Sequence, residues 1–350
     1  MLTDEFYNTI PDWFSNNGPY SDCIISTRIR LARNLIHHKF PLKASFIEKK
    51  EIFSKLNDAI LSLSQCKKNY SLNLSKLKNL DKQLLFENRI VSSDLINLEG
   101  ERGVVFDLNH RISIMINEED HLRLQCMDSG YQPDDLWETI NKIDDDLGKK
   151  VHYAYKPQCG FLTSCPTNSG TGLRISFLLH IPGLVLSKNI ESVLTGASQM
   201  GISTRGFFGE HSDVIGNFFQ LSNQATMGAK ESEFLKNTQD IIMKIVDYEY
   251  KARERILNEA KNELKDKIFR SYGILKYAHT LSVDEFLNLT SALRFGIECG
   301  FLKKMDIHSL NSMILLCMPA HIQLSENRQI NEEEINRIRA IVVKKLMPEI

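Results

Sequence analysis

Ser164-Cys-Pro-Thr-Asn-Ser-Gly-Thr-Gly-Leu-Arg174, running into the apolar stretch Ile175–Ile181, places a tight turn of small polar residues directly before a strand. Arg174 enters that strand where an apolar residue would ordinarily stand, and Cys165, ahead of a proline, is presented by the turn. A thiol beside cationic groups is expected to have a lowered pKa and to be reactive; the plainer reading is an inert turn with a structural cysteine. Outward from here, Cys23–Arg30, Gly103–Leu108, Ile112–Asn117 and Phe218–Ser222 also alternate or run apolar over strand lengths. Helical patterns at Ile47–Leu63, Asp134–Leu147 and Lys188–Gly201 stand between them. Mixed elements without a regular βαβ beat predict an α+β fold with a mostly antiparallel sheet flanked by helices.

The texture changes near residue 228. From Lys230 to about Arg270 there is no Gly or Pro, and Leu235, Ile242, Ile245, Val246, Ile256, Leu264 and Ile268 recur on one side, which predicts one long amphipathic helix. Shorter helices are predicted at Val283–Phe295, His308–Leu316 and Glu332–Leu346, and core packing is all that is expected of them. The division is therefore a catalytic-type domain over 1–228 and an all-helical C-terminal domain over 229–350.

Composition narrows the function. Among the 350 residues, Lys plus Arg is 43 and Asp plus Glu is 44, a net charge of -1. With no basic excess, the chain is a poor candidate for a general nucleic-acid or anionic-membrane binder. No apolar run approaches the ~20 residues of a membrane span. Seven cysteines at irregular spacings argue against a disulfide scaffold and for a reducing, cytoplasmic setting. There is no GxxxxGK[ST], no GxGxxG after a strand, no HExxH, no paired CxxC and no GxSxG.

Three more segments look chemical. In Ser26-Thr-Arg-Ile-Arg-Leu-Ala-Arg-Asn34, Arg28 and Arg30 alternate with apolar residues, so on a strand they share one face. Adjacent guanidiniums repel unless an anion lies between them, and their planar donors suit phosphate oxygens. Ile116-Asn-Glu-Glu-Asp-His-Leu-Arg123 sets three acids after a strand; an acid-rich helix N-terminus is the alternative. Thr204-Arg-Gly-Phe-Phe-Gly-Glu-His-Ser212 delivers Arg205 and Glu210 from a glycine-bracketed loop of a kind that can close over a ligand, or that simply makes a hairpin. Five arginines (Arg28, Arg30, Arg123, Arg174, Arg205) without a P-loop are what binding a nucleoside triphosphate through side chains needs, and phosphoryl transfer asks mainly for alignment and charge stabilisation.

Together STRIRLARN, NEEDHLR, CPTNSGTGLR and RGFFGE resemble the ATP:guanidino phosphotransferase (phosphagen kinase) family, in order and spacing along roughly residues 20–225. Within it the chain is most similar to the bacterial protein-arginine kinase branch. Only about 25 residues precede the first arginine motif, where small-guanidine kinases carry a helical domain, and Lys251-Ala-Arg-Glu-Arg-Ile-Leu257 and Arg270-Ser-Tyr-Gly-Ile-Leu275 resemble the branch's C-terminal domain. The resemblance implies that the five arginines grip the phosphates of ATP, used with Mg²⁺ that no side chain ligates directly. It implies that backbone groups of Ser26, Thr27, Arg28, Ile29 and Arg30, of Arg174, Ile175, Ser176, Phe177 and Leu178, and of Arg205, Gly206, Phe207, Phe208, Gly209 and Glu210 complete the nucleotide site. Glu119 is implied as base and aligner of the substrate guanidinium, Glu210 as its second carboxylate, and Cys165 as a thiolate against it. Two departures stand out. Arg89 occupies the position where the branch has a His near the nucleotide, and is expected to contact the nucleotide still, though not as an imidazole. Of an RDxxRA phosphoarginine-binding motif only Arg339 and Ala340 are kept, with Ile335-Asn336 in place of the leading Arg-Asp.

The implied activity is transfer of the γ-phosphoryl of ATP to arginine side chains of proteins, marking them for ClpC–ClpP and acting on the CtsR repressor, with an McsA-like activator and a homodimer. A kinase of free arginine or another small guanidine is the alternative within enzymes. A non-catalytic ClpC or phosphoarginine adaptor is the alternative outside them, and it predicts loss of Glu119, Cys165 or Glu210, all of which are present.

Overall fold

The computed structural model describes residues 9–67, 69–207, 214–326 and 328–349. Among them the strands are β1 (Ile24–Arg33), β2 (Tyr70–Asn73), β3 (Gly103–Phe106), β4 (Ile112–Ile116), β5 (Leu122–Ser129), β6 (Tyr155–Lys156), β7 (Gly160–Phe161), β8 (Leu173–His180), β9 (Ile202–Arg205) and β10 (Phe218–Asn223). The helices are α1 (Phe46–Leu61), α2 (Asn79–Glu87), α3 (Ser93–Asn97), α4 (Pro133–Gly148), α5 (Pro182–Leu186) and α6 (Ile190–Gln199). Beyond the sheet follow α7 (Glu231–Glu259), α8 (Lys261–Tyr277), α9 (Val283–Glu298), α10 (Ile307–Leu316), α11 (Pro319–Ser325) and α12 (Glu332–Leu346).

Eight strands form one antiparallel sheet in the order β2-β3-β4-β5-β1-β8-β10-β9, and β6 and β7 make a separate hairpin. Side chains alternate along each strand, so the sheet has two unlike faces. Ile29 and Leu31, Leu122, Leu124 and Cys126, and Ile175, Phe177 and Leu179 point to one side, where α1, α4, α6 and α7 cover them in the first core. On α1 the buried residues Ile52, Leu56 and Ile60 recur four apart, and each fully buried side chain of this kind contributes roughly 1.5–3 kcal/mol. A capping box, Ser45 with Glu48, starts that helix.

The other face meets the C-terminal helices. Ile25, Met127, Leu178 and Phe218 from the sheet join Trp13 and Phe14 and the apolar faces of α8, α9 and α10 in a second core. This explains a departure from the expected single helix over 230–270. The helix breaks at Ala260 (φ -138°, ψ 34°) although no Gly or Pro is near. Leu235–Ala252 serve the first core, and Ile256 and Leu257 at the end of α7 with Leu264–Leu275 serve the second, so the break falls where the chain passes from one core to the other.

Candidate active site

Registration of the central strands gathers the arginines. Arg28 lies opposite Met127 and Ser176, Arg30 opposite Gln125 and Arg174, and Ala32 opposite Arg123; Gln220 faces Leu178 on one side and Arg205 on the other. Directly paired residues share a face, so Arg28, Arg30, Arg123, Arg174 and Arg205 all project from the side turned toward the C-terminal helices. Small hydroxyls brace them: Arg28 Nε donates to Ser176 Oγ at 3.2 Å, and Arg174 donates to Ser203 Oγ at 3.2 Å and Ser222 Oγ at 3.2 and 3.3 Å. Burial, together with the charges of Arg89, Arg174, Arg123 and Arg205, pushes the Arg28 guanidinium down to about 9. Such a cluster is built to receive a polyanion. Arg33, the remaining arginine of the first motif, serves packing instead, buried against Asp144 of α4 at 2.7 Å and lying over the Phe161 ring.

The three acids lie in a tight β4–β5 hairpin turn, entered through Asn117 at φ 58°, rather than at a helix N-terminus. Their environments differ. Glu118 is fully buried and bonded to Ser92 and Arg123. Asp120 is buried and accepts from Asn34 Nδ2 at 2.6 Å and the Ser164 amide at 2.7 Å; burial raises its pKa. Glu119 keeps a third of its side chain exposed, with Arg123 Nη2 at 3.4 Å and Asn168 Nδ2 at 3.3 Å on Oε2. His121 locks the turn. Its Nδ1 accepts the Leu35 amide, so the proton sits on Nε2 and is donated to Lys39 O, and burial holds the imidazole down to about 4.

The 164–174 turn seats against this hairpin. Ser164 Oγ donates to Glu119 O at 2.7 Å, and Asn168 reaches the Glu119 carboxylate. Cys165, partly exposed, precedes a 3₁₀ turn over Pro166–Asn168 and pairs with Thr167 Oγ1 at 3.0 Å. The structure thus seats Glu119 and the Cys165 turn together at the end of the central strands, where Arg123 reaches Glu119. Phe208, Gly209 and Glu210 lie outside the described residues. Gly206 and Phe207 are buried at the root of that segment. Among the described residues no group of three or more His, Cys, Asp or Glu could hold a metal ion.

Some of the residues expected at the nucleotide site face away from the arginines, while Arg89 lines the same cavity as Arg28 and Arg123. Ile29, Ile175 and Phe177 point into the first core, and Thr27, on the same side of β1, bonds Gly130 O. Ser26 and Leu178 face the arginine side but are buried. The backbones of Ser26–Arg30 and Arg174–Leu178 run along the two central strands, with a neighbour on either side. Arg89, at φ 59°, packs its guanidinium 4.7 Å from both the Trp13 and Phe207 rings, donates to Phe207 O at 2.6 Å, and is pushed by burial to about 10. Arg339 and Ala340 are buried; the Arg339 guanidinium donates through Nε to Cys317 O and through Nη1 to Leu281 O and Asn336 Oδ1.

Sequence reasoning missed the far side of the arginine cavity. Trp13, Phe14 and Glu87, with Ile314, Leu315 and Met318 from α10 and the turn after it, line it beside Arg28, Arg30, Arg123 and Arg205. The one signal in the sequence is an aromatic pair, Trp13-Phe14, ahead of the first arginine motif.

An antiparallel sheet with five arginines on one face and a glutamate one-third exposed beside it is the arrangement a guanidine phosphotransferase requires. The chain belongs to the ATP:guanido phosphotransferase family, whose C-terminal catalytic domain model matches residues 51–252, and it is accordingly an ATP-using kinase. More particularly, residues 261–350 match the protein-arginine kinase McsB C-terminal domain. The chain is 36% identical over 343 residues to the protein-arginine kinase of Halothermothrix orenii, covering 98% of each. It is 38% identical over 334 residues to that of Clostridium novyi, covering 95% of this chain and 97% of the relative. In fold it is similar to lombricine kinase (TM-score 0.60, 23% identity, 69% of this chain and 71% of that one). It is also similar to the substrate-free duplicated taurocyamine kinase of Schistosoma mansoni (TM-score 0.60, 21% identity, 87% of this chain and 43% of that one). Among the described residues no helix is long and apolar enough to cross a membrane.

Proposed function

We propose that this chain is a protein-arginine kinase: the γ-phosphoryl of Mg²⁺-ATP passes to an arginine side chain of a protein, giving phosphoarginine and ADP. The observation that carries the reading is the seating of Glu119, alone among the three hairpin acids in keeping its carboxylate partly open, at the edge of the five-arginine face. The relatives named protein-arginine kinase support the substrate.

Substrate guanidinium is a poor nucleophile while protonated. Glu119 holds it in plane and takes its proton as the N–P bond forms; the P–O bond to ADP breaks in line, and the arginines bear the charge on the phosphates. Cys165 and Glu210 are assigned to the remaining sides of the guanidinium. Mg²⁺ is assigned to the phosphates, since the arginine face offers donors rather than ligating oxygens. We assign residues 1–228 to the catalytic domain and 229–350 to a dimerising, regulatory domain. The wider reading is a cytoplasmic homodimer with an McsA-like activator that serves protein quality control and the stress response, its products passing to ClpC–ClpP and its substrates including CtsR.

Peptide mass spectrometry after incubation with Mg²⁺-ATP, casein and free arginine, worked up without acid, tests the activity. A phosphoryl adduct on casein arginines that is absent with Glu119→Ala is the expected result. Phosphorylation of free arginine alone overturns the protein-substrate reading.

A further inference from the structure

We propose that Ile314, Leu315 and Met318, carried by the C-terminal helices, are the wall against which the nucleobase packs, and that Glu87 is the positioning residue holding that wall to the catalytic sheet. The inference rests on the reading that the arginine face binds a nucleoside triphosphate.

The cavity is divided in kind. One half is guanidinium, from Arg28, Arg30, Arg123 and Arg205, and the other is mainly apolar, from Trp13, Phe14 and Met115 together with Ile314, Leu315 and Met318, with the Arg89 guanidinium 4.7 Å from the Trp13 ring. A triphosphate must lie in the first half. The base is the flat, weakly polar end of the same molecule, and the apolar half is the surface in reach that repays its desolvation.

The wall is placed by specific bonds rather than by general packing. Glu87, the last residue of α2, accepts the Ala320 amide at 2.7 Å and the His321 amide at 3.3 Å, and its Oε2 lies 2.7 Å from His321 Nδ1. Both side chains of this pair are nearly buried. On the opposite side, Asn311 of α10 donates to Phe14 O at 2.6 Å. The segment carrying Ile314, Leu315 and Met318 is thus tied both to α2 and to the Trp13–Phe14 turn.

The cavity is about 80 Å³, below the roughly 300–1,000 Å³ of ligand clefts, so nucleotide entry moves a wall. Met318 is unbranched and adapts its shape at least cost.

The test separates base from phosphate. Calorimetric affinities for Mg²⁺-ATP and for Mg²⁺-tripolyphosphate are measured on the full chain and on Leu315→Ala, Met318→Ala, Glu87→Ala and Glu87→Gln. The alanine variants should lose about tenfold or more in ATP affinity, as truncation in an apolar pocket does, with tripolyphosphate unchanged within about twofold. Glu87→Gln, which still accepts an amide, should recover part of the loss. In a Trp137→Phe background, which leaves Trp13 as the sole tryptophan, ATP should quench the emission and tripolyphosphate should not; this readout survives if the cavity variants fail to fold. Equal weakening of both ligands, no weakening of either, or equal quenching by both overturns the wall. If the parent chain binds neither ligand, the arginine face is not a triphosphate site and the proposed function falls with it.

Discussion

Glu119 and Asp120 are adjacent in the chain, alike in charge, and set in opposite circumstances, so a pair of substitutions separates chemistry from folding. Glu119→Gln removes the charge of a side chain that is one-third exposed and holds Asn168 at 3.3 Å and Arg123 at 3.4 Å, and its cost to stability should stay within about 0.5 kcal/mol. As general base its removal should lower kcat by roughly 10²–10⁴. Asp120→Ala strips the acceptor from two short bonds. Asn34 keeps Leu162 O as a second acceptor at 3.1 Å, so the Ser164 amide is the group fully orphaned, and the expected cost is about 2–3 kcal/mol. Urea unfolding at constant m-value measures the first quantity, and initial rates of phosphoarginine formation on casein measure the second. If Glu119→Gln moved the urea midpoint as far as Asp120→Ala, or kept its rate within about tenfold of the parent, the division of labour between the two acids would be refuted.

Two further outcomes follow from charges placed where water is scarce. His121, held down to about 4 and buried, is neutral in the folded state, while the unfolded chain takes up a proton near the ordinary value of 6.5. Its stability contribution is therefore complete above pH 6.5 and lost as pH falls through 4, about 3 kcal/mol at most; His121→Gln, which can make both bonds, should flatten unfolding free energy against pH in that window. Tripolyphosphate at about a hundred times its Kd should stabilise the chain by about 2.7 kcal/mol, and Arg28→Ala together with Arg174→Ala should abolish the resulting rise in Tm.

The arginine face is legible because a strand's period of two is written directly in Arg28-Ile29-Arg30, and an arginine at a strand's apolar entry, as at Arg174, is not placed there by core packing. The strand Leu122–Ser129 is hidden because the acid run ahead of it reads equally well as a helix start, and only pairing with Ile112–Ile116 makes the segment a hairpin. Which acid stays open depends on Ser92, Asn34 and Ser164, distant partners that no local pattern announces. The break at Ala260 is tertiary in the same sense. Trp13 and Met318 are core residues, and their place beside the arginines comes from the packing of the two ends of the chain.

That packing has a consequence for biosynthesis. Asn311 clasps the Phe14 carbonyl across 297 positions, and Arg294 clasps Asn16 and Ser21 O across 278 and 273. At ribosomal speeds of roughly 5–20 residues per second, about 15–60 seconds separate the appearance of Phe14 from that of its partner. Through that interval Trp13 and Phe14 wait without their lid, and five like charges face solvent with one wall of their cavity unmade. The enzyme is assembled from both ends at once, so a ribosome that stalls before α10 leaves a nascent chain with its sheet in place and nowhere to seat a nucleotide.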